Sequence, residues 1–341
     1  MALAFAVSVV LAPAAASTAA PTDQRTVTIT AIGDLILGNT PSVPPHPSDY
    51  LRGIRKPLTN GADIVFGNLE GVLTNRTDNK CQKSKSGDCF AFRNPPSFAR
   101  TFADVGFTVL NSANNHSDDF HAVGAADTTA ALRGAGIKQA GVRGAVARVH
   151  VNGVWVAFLG FAPYSYDPNL LDLDTAAKAI HHAASNNDIV VVYMHAGAEG
   201  STATHVTGRE EYAFGEDRGN AKQFAHMAVD NGAKLVLASG PHVLRGIEFY
   251  RGHLIAYSLG NSGNFHNFGR SGDLAKSAIL RVTLGARGGF QTGELTSVRL
   301  VDPGRPVLGG DSVAFVRELG KEDFGAAAAR LSQTGEIRAP V

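Results

Sequence analysis

At 341 residues, with 44% hydrophobic and 18% charged side chains, the chain has the composition of a folded protein of one large or two ordinary domains, not of a disordered segment. A formal net charge of +1 gives no general attraction to nucleic acid or to an anionic membrane, so no nucleic-acid partner is expected and basic side chains must act singly.

The opening MALAFAVSVVLAPAAA carries no charge and ends in small residues. It reads as the apolar and cleavage regions of an export signal over 1–22, with cuts near Ala16 or Ala19. The run is short for a bilayer span and Pro13 interrupts it, so the expected location is secreted or cell-envelope. Apolar, β-rich runs then recur at 27–32, 63–69, 107–113, 154–161, 188–194, 234–239 and 253–259. Between the second and third of these, Cys81 and Cys89 share the polar stretch NKCQKSKSGDC, and in an exported chain they are expected to pair. Ala176, Ala179, Ile180 and Ala183 follow a helical rhythm within 175–186. Ala221, Phe224, Ala225, Ala228 and Val229 do the same before Gly232. Buried strands alternating with helices make an α/β core with helix-covered sheet faces, expected over 25–290. A C-terminal extension, 291–341, with a helical stretch EDFGAAAARL, is expected to pack on the same domain.

Polar residues interrupt this pattern where strands end. Asp34 follows the first strand, Asn68 and Glu70 close the second, and Asn114, Asn115 and His116 follow the third. His195 follows the fifth with Glu199 shortly after, His242 follows the sixth, and Asn261 the seventh. Ligands of open α/β sheets bind beyond the carboxyl ends of the strands, so these side chains should meet. Asp, Glu, Asn and His suit a divalent ion such as Zn²⁺, Mn²⁺ or Fe²⁺.

The strings GDLILG, NLEG, NNHSDD, HAGAEG, PHVLRGIEFY and YSLGN resemble, in order, the motifs of the CapA family of poly-γ-glutamate capsule biosynthesis proteins, within the calcineurin-like metallophosphoesterase superfamily. The resemblance implies a metallophosphoesterase-like α/β fold, a β-sandwich flanked by helices in four layers, and an extracytoplasmic role in making, exporting or tethering an anionic polymer. It makes Asp34, Glu70, Asn115, His195 and His242 metal ligands, with Asn68 beside the bridging Glu70. His116 becomes a general acid at the leaving group, and Asp119 and Glu199 carboxylates that orient the histidines. The expected cofactor ranges from two divalent ions to one or none, because the chain departs from the phosphoesterase pattern twice. Leu35 and Ile36 follow Asp34 where Asp-x-His is usual, and Ser239 stands where relatives place histidine before Pro241-His242.

Arg93, Arg218 and Arg245 are candidates to hold an anionic polymer or phosphoester, since a guanidinium fork matches carboxylate and phosphate. Asn68, Glu199 and Asn261 join them as substrate contacts, and His205 does so if its loop folds back over the site. His121, His181, His182 and His226 lie on or beside helices and read as structural. Two functions remain open: a metal-dependent hydrolase or transferase working with membrane-bound capsule-synthesis partners, and a non-catalytic polymer-binding subunit on a degenerate site.

Overall fold

The computed structural model describes residues 1–4, 23–38, 42–84 and 89–341. The expected export signal falls mainly on 5–22, outside the described residues. Two sheets make the centre. A ten-stranded sheet runs Arg330–Leu331, Glu336–Arg338, Phe290–Val301, Lys276–Gly285, Thr26–Ile36, Ile64–Leu69, Val109–Asn111, Lys138–Ala140, with Asn261–Asn264 and Arg305–Leu308 branching from it. A six-stranded sheet runs Ile247–Tyr250, His253–Ala256, Leu235–Ser239, Ile189–His195, Val154–Phe161, Ala147–Val151.

The continuous apolar strands are buried on both faces, and Ile189–His195 shows how. Ile189, Val191 and Tyr193 point between the sheets, where Ile29, Phe66 and Val109 of the larger sheet meet them. Val190, Val192 and Met194 point outward onto the helices Leu173–Ser185 and Ala221–Asp230. Burying each such side chain contributes roughly 1.5–3 kcal/mol. The opposite face of the larger sheet is covered by the helices Arg52–Thr59 and Phe98–Val105. Helix, sheet, sheet and helix therefore stack as the expected four-layer sandwich.

Side-chain caps start both helices of the second outer layer. Asp172 accepts from the Thr175 amide at 3.1 Å, and Asn220 from the Gln223 amide at 3.0 Å. Two local expectations are corrected. Asp34 does not follow its strand but lies inside Thr26–Ile36, at a register break between Ala31 and Leu35. EDFGAAAARL is not a helix of its own: a helix beginning at Ser312 ends at Phe324, because Gly325 turns out of it with φ of 53°. Among the described residues no helix is long and apolar enough to cross a membrane.

Candidate metal centre

Strand register assembles the centre. Asp34 is the partner of Asn68 on one side and of Asn261 on the other, Asn68 is the partner of Asn111, and Ser239 is the partner of His195 in the second sheet. Gly33 permits the closest of these approaches: a Cβ there would sit 2.0 Å from the Gly260 carbonyl oxygen, which the Asp34 amide reaches at 2.9 Å. The register of the two sheets brings these positions to one point.

Asp34, Glu70 and His242 offer ligand atoms that all lie within 4.8 Å of one another. His195 Nε2 is 3.8 Å from Glu70 Oε1, His242 Nε2 is 3.6 Å and His116 Nε2 4.0 Å from the same oxygen. Asn115 joins through its Nδ2, 3.5 Å from Glu199 Oε1, and Glu199 Oε2 lies 3.7 Å from His242 Nε2. Asp34, Glu70, Asn115, His116, His195 and His242 thus come together, and Glu199 touches the cluster itself instead of standing behind a histidine.

What fits a cation here is the set of atoms left without partners. Both Glu70 oxygens, His195 Nε2, His242 Nε2 and Asn115 Oδ1 are buried and accept or donate no hydrogen bond. Buried polar atoms are rarely left so, and these face one another with carboxylate, imidazole and amide donors suited to a divalent ion. The surroundings prepare them. His242 Nδ1 donates to Asn261 Oδ1 at 2.9 Å, which leaves Nε2 as the atom turned toward Glu70. His242 holds a left-handed φ of 61°, a conformation that costs a non-glycine residue energy and marks a constrained site. Asn68 donates to Asp34 at 2.8 Å and accepts from Asn111 at 2.7 Å and Asn114 at 3.1 Å, so it is a scaffold for Asp34 and not a free ligand contact.

The electrostatics are those of a buried acid–imidazole cluster. Burial, with Asp34 beside it, pushes Glu70 well above the usual carboxylate range. Burial also opposes charge on His242, but Glu70, Asp34 and Glu199 outweigh it and hold the ring up at about 10. Asp34 itself lies low: burial raises it, and the imidazoles of His242 and His195 with the Ser239 hydroxyl more than offset that. His195, buried and near Arg218 and His242, falls to about 3 despite Asp34. His116 is lowered by burial, although Asp119 works against the shift. Its Nδ1 donates to Asp119 Oδ2 at 2.7 Å, so the neutral ring presents a lone pair at Nε2 and takes a proton before it gives one.

Several neighbours carry no strand-end signal and escape a reading of the sequence. Phe92 and Phe268 pack on the rings of His116 and His242, each with centroids 4.0 Å apart. Lys80, beside the disulfide, reaches Asp119 Oδ1 at 2.7 Å. Tyr193 and Asp34 both engage the Ser239 hydroxyl. Cys81 and Cys89 are bonded as expected, with Cα atoms 5.5 Å apart.

Three of the candidate anion and substrate contacts are placed elsewhere. Arg245 is fully buried and forked onto Glu211, at 2.6 and 3.1 Å, with Nε on the Ala203 carbonyl. Arg93 turns to the carbonyls of Asn75 and Arg76 and lies over Phe120. His205 does not fold over the cluster: its Nδ1 bonds Asp323 at 2.8 Å. Arg218 does border it, paired with Glu199 in the wall of a cavity of about 720 Å³ into which Asn115 and His116 also face. Of the histidines read as structural, His226 pairs with Glu248 at 2.9 Å, and His181 and His182 are exposed.

Comparison with known proteins sets this geometry in a family. The chain is 30% identical over 265 residues to the capsule biosynthesis protein CapA of Bacillus anthracis, covering 70% of this chain and 60% of that one. It is 31% identical over 223 residues to the PGA biosynthesis protein CapA of Bacillus subtilis, covering 60% and 54%. It therefore spans a little over half the length of these relatives. Among solved structures, the NAD nucleotidase of Haemophilus influenzae aligns with a TM-score of 0.43 at 11% identity, over 88% of this chain and 63% of that one. The family profile described as bacterial capsule synthesis protein PGA_cap matches residues 28–264, and the chain belongs to that family.

Proposed function

We propose that this protein acts outside the cytoplasm in the synthesis, export or anchoring of poly-γ-glutamate or a related capsule polymer, as a metal-dependent hydrolase or transferase. The observation that carries the reading is the convergence of unpartnered lone-pair atoms from Glu70, His195, His242 and Asn115 beside Asp34, in a family of capsule synthesis proteins. The uncharged apolar start and the Cys81–Cys89 bond support an extracytoplasmic site of action.

Asp34, Glu70, Asn115, His195 and His242 would hold one or two ions of zinc, manganese or iron. When bound, such an ion would act as a Lewis acid on the carbonyl or phosphoryl oxygen of the substrate. The protein's own groups do the rest. His116, fixed between Asp119 and the Phe92 ring, takes a proton at Nε2 from the attacking hydroxyl and returns it to the leaving atom. Asn68 keeps Asp34 turned toward the cluster, and Asn261 fixes the His242 tautomer.

Incubating purified protein with poly-γ-glutamate, with Mn²⁺ or with chelator, tests this. Metal-dependent change in polymer length or release of end groups is expected, with His116→Ala reducing it at least about a hundredfold, the usual worth of an acid–base group. Polymer binding without any turnover in every metal would favour the second reading, a binding or assembly subunit. The replacement of histidine by Ser239, whose hydroxyl is already engaged by Asp34, is the observation on that side.

A further inference from the structure

The segment 212–218 breaks two local rules within a few residues. Tyr212–Ala213 and Glu216–Asp217 form a short hairpin whose tip is Phe214-Gly215. Both tip residues have positive φ, 52° and 79°, the pattern of a turn that asparagine and glycine normally occupy. A phenylalanine there is conformationally costly. It is also 73% exposed, so its ring gains little from burial in return. Neither cost has a folding rationale.

Phe214 lines the cavity into which Asn115, His116 and Glu199 face, and Phe90, 53% exposed, and Tyr166, 41% exposed, line it too. Exposed aromatic rings concentrated at one opening mark a binding surface. The strand leaving the hairpin leads directly to Arg218, in the wall of the same cavity. Its side chain is 1% exposed, one nitrogen pairs with Glu199, and Nη1 and Nε have no hydrogen-bond partner. Glu216, 3.6 Å from Nε, is too far to supply one. A buried guanidinium with idle donors beside a cavity is arranged for an acceptor the ligand brings.

We infer that the 212–218 hairpin is a recognition element: Phe214, with Phe90 and Tyr166, grips apolar linker atoms of an extended acidic chain while Arg218 takes one of its carboxylates next to the cluster. The inference rests on the proposed function for its ligand. A γ-linked glutamyl chain fits both halves, since each repeat carries a free carboxylate and two methylenes in its backbone. An α-linked chain has equal charge but keeps its methylenes in side arms, and should be held less well.

Calorimetric titration of the full chain with a γ-linked glutamyl hexamer, an α-linked hexamer and inorganic phosphate separates the possibilities. The γ-linked hexamer should bind more tightly than the α-linked one. Phe214→Asn should weaken it about tenfold, a loss of about 1.4 kcal/mol, while leaving phosphate binding unchanged and the melting temperature equal or higher. A ring with only a structural role would lower the melting temperature instead. Arg218→Lys, which keeps the charge opposite Glu199 but loses the fork, should weaken hexamer and phosphate alike. Unchanged hexamer affinity in Phe214→Asn would overturn the aromatic grip, and unchanged affinity in Arg218→Lys would overturn the anchor. If phosphate binds in an Arg218-dependent way but neither hexamer does, the anchor stands and the capsule-polymer reading falls.

Discussion

Ser239 lies opposite His195 across paired strands, so a side chain there points at the cluster. Its hydroxyl donates to Asp34 and is a poorer metal ligand than imidazole. Ser239→His should therefore raise Zn²⁺ or Mn²⁺ affinity about tenfold, or about 1.4 kcal/mol, in calorimetric titration. No gain would mean that Tyr193 keeps the ring out, or that the other ligands lack the geometry, and would favour the binding subunit. The proton on His242 allows a second expectation. Glu70 is pushed up by burial and by Asp34, and His242, held at about 10, carries a proton near neutrality that a cation must displace. Metal affinity should then climb as pH rises toward about 10, and the binding heat should vary with the ionisation heat of the buffer. Affinity independent of pH would place the ion elsewhere. At this scale the sequence is a good guide to Asp34, Glu70, His195 and His242, because a polar residue at the end of an apolar strand stands out. It is a poor guide to Phe92 and Phe268, whose rings pack on imidazoles, and to Tyr193, whose hydroxyl engages Ser239, since each looks like any core residue until the chain folds.

The element holding Arg245 shows why a guanidinium beside a motif misleads. Arg245 and Glu211 are both buried and forked together, so their pairing is a feature of the core. Glu211→Ala leaves an unpaired buried charge and should cost about 3–5 kcal/mol in urea unfolding. A loss below about 1 kcal/mol, the level of a surface pair, would contradict that role. The Cys81–Cys89 ring is likewise an element with a measurable worth. Replacing both cysteines by serine should cost about 2–3 kcal/mol on the loop-entropy account, and native protein should show no free thiol by mass spectrometry. Strands of the parallel core were legible because burial on both faces leaves an unbroken apolar run. The strand Phe290–Val301 was visible only as short pieces, since only a third of its residues are buried and they do not alternate regularly with exposed ones. The alanine-rich tail misled in the other direction. Its helix propensity is real, but Gly325 ends the helix and the chain turns to pair as Arg330–Leu331.

Over the whole molecule, the two sheets converge so that one carries Asp34, Asn68 and Asn261 and the other His195 and Ser239. Under the proposed function, a cation held across that junction would tie the sheets together and stabilise only the folded chain. The measurement that bears most directly on this is metal content, by mass spectrometry of intact protein purified without chelator, for wild type and for Glu70→Gln with His242→Ala. The expected result is stoichiometric zinc, manganese or iron in wild type, lost from the variant together with a lower melting temperature. Wild type that stays metal-free after incubation with each ion, and melts at the same temperature with and without it, would contradict the metal centre.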